Sequence, residues 1–128
     1  MGASKTIVLI EDHAATRRLL TLVLDRVDAH LVYAATGLAG LEAIEAHEPD
    51  LVVLDLMLPD LNGWEILSWI RHRHEPAQLP VLIVTAYGGE ENESRAELAG
   101  ADGYLAKPFD PQELRQAVLR LLGGCPTY

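Results

Sequence analysis

Ile7-Val8-Leu9-Ile10-Glu11-Asp12 decides the fold, because four successive apolar residues run without a break into two acids. A continuous apolar run of that length suits a strand covered on both faces of a parallel sheet. Three further runs repeat the pattern: Leu51-Val52-Val53-Leu54 leads into Asp55, Val81-Leu82-Ile83-Val84 into Thr85, and Tyr104-Leu105-Ala106 into Lys107. In an open parallel sheet the carboxyl ends of the strands form one edge, where ligands bind. Three carboxylates, a hydroxyl and an ammonium therefore converge. Such a cluster suits a divalent cation and a phosphoryl group, with one carboxylate free to act as nucleophile.

Outward from these runs, strand-like and helix-like segments alternate five times. The strands are expected at 5–10, 31–35, 51–55, 80–85 and 103–106, the second being equally compatible with an edge position. Leu19, Leu20, Val23, Leu24 and Val27 make one helical stripe, Leu38, Leu41 and Ile44 a second, and Trp64, Ile66, Leu67 and Ile70 a third. Asp110-Pro111-Gln112-Glu113 supplies a cap, a first-turn proline and an acid, and Gly123-Gly124 stops that last helix. Gly88-Gly89 followed by Glu90-Glu91-Asn92-Glu93 predicts a short polar helix with only Ala96, Leu98 and Ala99 to bury, the most mobile part of the chain. The fold expected is α/β: a doubly wound, flavodoxin-like, five-stranded parallel sheet of order 2-1-3-4-5 with five helices and right-handed crossovers.

The chain has 128 residues, about one ordinary domain, and 49% of them are apolar, enough for a single packed core. Ten basic residues against 19 acidic ones give a net charge of −9, which repels a phosphate backbone, so direct nucleic-acid binding is not expected. A lone Cys125 excludes an internal disulfide framework and fits a reducing compartment. No stretch has the length of a membrane span, and no signal peptide is recognisable, so a cytoplasmic protein without membrane association is expected. Met1-Gly2-Ala3-Ser4-Lys5-Thr6 matches the myristoylation consensus by letter and is read as a chance match.

The order 2-1-3-4-5 makes Glu11, Asp12 and Asp55 neighbours. Acids that close raise at least one pKa unless a cation neutralises them. Mg²⁺ is the expected ion, with Mn²⁺ as a substitute, held by Glu11, Asp12, Asp55 and the main-chain carbonyl of Met57. Asp55 would be the nucleophile toward phosphorus, Lys107 would pair first with Asp55 and then with a phosphoryl oxygen, and Thr85 would donate to another. Taken singly, each residue also has an ordinary reading: the acid pair as helix-end charges, Asp55 as a turn former, Lys107 as a surface residue, Thr85 as a strand end and Tyr104 as half-buried packing. Their joint placement at strand ends favours the site. His72 and His74 lie two apart and share no helix face; His13 follows Asp12 at a position that could border the pocket, but a structural role is expected for it.

Glu11-Asp12, Asp55 with Leu58-Pro59-Asp60 and Asn62-Gly63, Thr85-Ala86, Gly100-Ala101-Asp102-Gly103-Tyr104 and Lys107-Pro108-Phe109 together resemble the receiver domain of two-component response regulators. The resemblance runs from Lys5 to about Leu122. It implies that Asp55 accepts a phosphoryl group from a phosphohistidine on a sensor histidine kinase or a histidine phosphotransfer protein. It implies Mg²⁺ on Asp12, Asp55 and the Met57 carbonyl, with Glu11 assisting through water, and a cis Lys107–Pro108 bond. Thr85 and Tyr104 would switch together to signal to a downstream output protein or domain, and a homodimer on phosphorylation is compatible with this. Met57 and Tyr87 stand where the family tunes hydrolysis of the phosphoryl group, and their bulk is expected to slow it. Ala14, Ala15, Arg17 and Arg18 on the first helix are the implied contacts to the kinase. Such a chain is a phosphoacceptor rather than an enzyme, catalysing only its own phosphorylation and dephosphorylation. Three rivals stay open: a receiver-like docking module that is never phosphorylated; an aspartyl-phosphate phosphatase, which wants a second acid where Met57 stands; and a flavin or nucleotide module on the same fold, which wants a phosphate-binding loop where Glu11-Asp12-His13 stands. The tail from Gly123 suits a linker to another domain as well as a terminus.

Overall fold

The computed structural model describes residues 5–75 and 78–123. The expectations placed on Gly2, Gly124 and Cys125 lie outside the described residues. Strands β1 (Lys5–Ile10), β2 (Ala29–Ala34), β3 (Leu51–Leu54), β4 (Val81–Thr85) and β5 (Gly103–Ala106) alternate with helices α1 (Ala14–Leu24), α2 (Gly37–His47), α3 (Gly63–Arg73), α4 (Glu90–Leu98) and α5 (Pro111–Leu122). All four strand pairings are parallel and the order is β2-β1-β3-β4-β5, so the doubly wound α/β sheet with five helices is the fold. No helix among the described residues is long and apolar enough to cross a membrane.

Alternation along each apolar run divides the core between the two faces of the sheet. Val8, Ile10, Val52, Leu54, Val81 and Ile83 face α2 and α3 through Ile44, Ile66, Leu67 and Ile70. Ile7, Leu9, Leu51, Val53, Leu82 and Val84 face α1 and α5 through Leu20, Leu24, Leu114 and Val118. Because β1, β3 and β4 are covered on both sides, their runs are apolar at every position. β2 is an edge strand, only partly buried, and begins two residues earlier than its apolar run because Lys5 pairs with Ala29.

Some stripe residues stay outside. Leu19 and Leu38 are exposed, each flanking the buried side of its helix. On α4 only Ala96 is buried; Leu98 is 89% exposed and Ala99 is also exposed, contrary to expectation. Leu98 lies two residues past Ala96, which on a helix is the opposite side. The caps follow the sequence closely: Asn62 accepts from the Trp64 N–H, and Asp110 from that of Gln112, with Pro111 opening α5.

Candidate acidic site at the sheet edge

Each site residue continues its strand's hydrogen-bond ladder by one step, which fixes the side chains at the edge. The Glu11 N–H donates to the Ala34 carbonyl, the Asp55 N–H to Ile10 and the Lys107 N–H to Thr85, all at 2.8–3.1 Å. Past Asp55 the chain folds back tightly, with Met57 bridging to Asn62 and the Gly63 N–H donating to the Leu56 carbonyl. Any side chain at Gly63 would collide with the Leu56 backbone, so the turn that holds Met57 beside Asp55 requires glycine there.

Three of the expected residues form one ionic cluster. Lys107 Nζ donates to Glu11 Oε1 at 2.7 Å and to Asp55 Oδ2 at 3.0 Å, and the Met57 N–H donates to Asp55 Oδ1 at 3.0 Å. Glu11 and Asp55 are 2% and 3% exposed. Burial raises the Glu11 pKa above its ordinary range, outweighing the Lys107 bond, and the nearby Asp55 charge adds to the rise. Burial works against the Lys107 ammonium, but the bonds to Glu11 and Asp55 overcome it and hold that pKa up. Asp12 is a quarter exposed in its side chain, and its Oδ1 is buried without a hydrogen bond.

The donor set fits a divalent cation. Glu11, Asp12, His13 and Asp55 each bring a ligand atom within 4.8 Å of the others. Three carboxylates against one ammonium leave two negative charges, which a 2+ ion would neutralise, and the orphaned Asp12 oxygen would find a partner. An open groove of about 820 Å³ leads to this point past Met57, Tyr87, Trp64 and Arg95. Met57 and Tyr87 are both exposed along it.

Thr85 is fully buried, and its Oγ1 accepts from the Tyr87 N–H at 3.3 Å. Tyr104 packs under α4 against the β4 face, its hydroxyl buried without a partner. Burial, then the Glu93 charge, raises its pKa. The Lys107–Pro108 bond is cis. Ala14, Ala15 and Arg18 are exposed on α1, whereas Arg17 folds back and donates from Nη1 to the Glu11 and Asp12 carbonyls, both at 2.9 Å.

Several side-chain contacts go beyond the sequence reading. His13 lies beside the carboxylates, its Nδ1 3.3 Å from Glu11 Oε2 and 3.2 Å from Asp12 Oδ1. Asp60 accepts from the N–H groups of Gly37 at 2.7 Å and Leu38 at 2.9 Å, tying the loop after Asp55 to the start of α2. Arg71, largely buried, binds Asp102 Oδ2 at 2.6 Å and the Gly100 and Leu79 carbonyls at 2.7 Å, joining α3 to the entries of β4 and β5. Arg95 of α4 stacks over the Trp64 ring of α3 at 4.1 Å.

Comparison with known proteins agrees with this geometry. A family model described as the response regulator receiver domain matches residues 7–119. The polar-differentiation response regulator DivK of Brucella ovis is 26% identical over 120 residues, covering 94% of this chain and 98% of its own. Among solved structures, a CheY-like response regulator receiver domain protein from Methanospirillum hungatei has 30% identity and a TM-score of 0.83, covering 94% of this chain and 95% of its own. The receiver domain of Francisella response regulator 1452 gives 26% and 0.85, covering 93% and 97%.

Proposed function

We propose, from the premise that this chain belongs to the response regulator receiver family, that Asp55 is a phosphoacceptor charged by a phosphohistidine. The observation that carries the reading is the Asp55 carboxylate: buried, held at both oxygens by the Met57 N–H and Lys107, and lying at the inner end of an open groove. One Asp55 oxygen attacks phosphorus as the N–P bond breaks, and the departing imidazole takes up a proton. Lys107, already between two carboxylates, then faces a phosphoryl oxygen in place of a bare acid. As membership of the family implies, Asp12, Asp55 and the Met57 carbonyl would hold Mg²⁺, with Glu11, engaged by Lys107 and the His13 N–H, contributing through water. Bound there, the ion would offset charge on the phosphoryl oxygens.

Thr85 passes the event onward. Its hydroxyl proton is available to a phosphoryl oxygen, since among the described residues the hydroxyl accepts a hydrogen bond, from the Tyr87 N–H, and donates none. Tyr104 has no hydroxyl partner to give up when it moves toward space that Thr85 vacates, so α4, β5 and α5 can present a changed face to an output protein or domain. The chain acts as a switch, not as an enzyme on other substrates. Intact mass after incubation with acetyl phosphate and Mg²⁺ tests this. A gain of about 80 Da that needs the metal and is absent in Asp55→Asn supports it. No gain in the wild type, from acetyl phosphate or from a phosphorylated histidine phosphotransfer protein, favours the docking-module reading.

A further inference from the structure

We propose that Arg95 is a specificity residue for the phosphoryl donor: its guanidinium, held on the Trp64 ring, meets a doubly charged donor in the groove before that donor reaches Asp55. The inference rests on the phosphoacceptor reading of Asp55. The direction in which the side chain turns carries it. Glu91 lies four residues before Arg95 on α4, the spacing and order at which a glutamate and a basic residue pair best on a helix. Both are exposed, yet among the described residues the Arg95 guanidinium makes no ion pair and no hydrogen bond. Its carbon instead stands 4.1 Å from the centroid of the Trp64 ring, across the boundary between α4 and α3. A guanidinium over an indole face keeps N–H donors for an anion.

Trp64 and Arg95 both line the open groove of about 820 Å³ that ends at Asp55. Lysine and arginine occur in its lining only as Lys107 and Arg95, and Lys107 is bonded to Glu11 and Asp55. Among the described residues, Arg95 is therefore the permanent cation of the groove that no acid holds. The rest of the setting repels an anion, since the chain carries −9 and Asp12, Asp55 and Asp60 line the same groove. A phosphoryl donor is an anion that has to cross this field. For a donor about 8 Å from the guanidinium, a water-like dielectric gives a gain in local concentration of about sixfold for a dianion and about 2.4-fold for a monoanion. Arg95 thus favours the more highly charged donor, and Trp64 keeps it from being neutralised by Glu91.

The rate of mass gain of the full chain in Mg²⁺, at neutral pH and low ionic strength, tests this with acetyl phosphate as the dianionic donor and phosphoramidate as the monoanionic one. Arg95→Gln should slow acetyl phosphate about sixfold and phosphoramidate about 2.4-fold, so that their ratio falls by about 2.4-fold, whereas Arg95→Lys should keep the wild-type ratio. Arg73 stacks over Trp69 at 4.1 Å in the same way but lies outside the groove, so Arg73→Gln removes one charge and one stack and should leave both rates unchanged. Salt at about 1 M, where charges are screened beyond about 3 Å, should erase the effect of Arg95→Gln. Trp64→Leu alters no charge yet should lower the ratio too, and adding Glu91→Gln should restore it. An equal fall with both donors, or a ratio that Arg95→Gln leaves at the wild-type value, overturns the role of Arg95 while the gain in mass keeps Asp55 as the acceptor. No gain in wild type from either small donor overturns Arg95 as their receiver, and if a phosphorylated histidine phosphotransfer protein also fails, the phosphoacceptor reading falls with it.

Discussion

Asp12→Asn should make the metal-free protein more stable and the Mg²⁺-loaded protein less stable than wild type. Asp12 faces Glu11 and Asp55 with ligand oxygens within 4.8 Å, and Lys107 balances only one of those two charges. One carboxylate pair at that distance repels by about 0.9 kcal/mol in a water-like dielectric and about 3.5 at an effective constant of 20. The Asp12 side chain is a quarter exposed, which places the relief near the lower value, about 1 kcal/mol. Asp12 Oδ1 accepts no hydrogen bond that the amide would lose, so Asp12→Ala should move the same way. For wild type, Mg²⁺ at about 100 times its Kd adds about 2.7 kcal/mol through binding to the folded state alone. Urea unfolding followed by far-ultraviolet circular dichroism, in EDTA and in Mg²⁺, reads both effects. With a slope of about 2 kcal/mol per molar, the variant's midpoint should lie about 0.5 M above wild type in EDTA and below it in Mg²⁺. If both variants are less stable than wild type in EDTA, or all three gain equally from Mg²⁺, the accounting of charge at the site is wrong.

Met57 and Tyr87 flank the groove beside Asp55 and should hinder an attacking water, so Met57→Asn combined with Tyr87→Glu should shorten the phosphorylated lifetime; an unchanged rate of phosphate loss refutes this. Thr85→Ala should still accept a phosphoryl group at Asp55 but lose phosphorylation-dependent binding of its output partner, and full binding by the phosphorylated variant breaks the proposed coupling through Tyr104. The N–H groups of Leu38 and then Gly37 hold the Asp60 carboxyl below its ordinary 3.8. A depressed acid contributes stability above its unfolded-state value and loses it as pH falls through the folded value, so Asp60→Asn should flatten the acid limb of the stability profile below about pH 4. A carbon-13 titration that places Asp60 at or above 3.8 contradicts this.

The strand ends were legible because one rule governs them all: an uninterrupted apolar run must lie in the covered sheet, and the first polar residue after it must lie at the edge. That rule located Glu11, Asp55 and Lys107, and the extended ladder bonds of all three carry it out. It failed where a few apolar letters had to set the phase of a helix. Nine residues of α4 offer so few apolar positions that Ala96 and Leu98, on opposite sides, looked like one buried face. It also missed side-chain partners. Arg71 and Asp102 carry no mutual signal across 31 positions, since their meeting depends on where α3 ends relative to β5.

The most telling miss is Lys107 with Glu11. Strands about 4.8 Å apart put the ends of β1 and β5, three spacings distant, about 14 Å apart in a flat sheet, whereas β3 and β5 are about 10 Å apart. Backbone spacing by itself therefore favours Asp55 over Glu11 as the partner of Lys107. In the structure its ammonium lies 2.7 Å from Glu11 and 3.0 Å from Asp55, because the reach of a lysine and a glutamate side chain closes the distance between the strand ends. Pairing order fixes the backbone spacing at this edge, while side-chain length decides which groups meet across it. That reach ties Glu11 past β1 and Asp55 past β3 to a single ammonium, and with Asp12 beside them the cluster keeps a surplus charge of two.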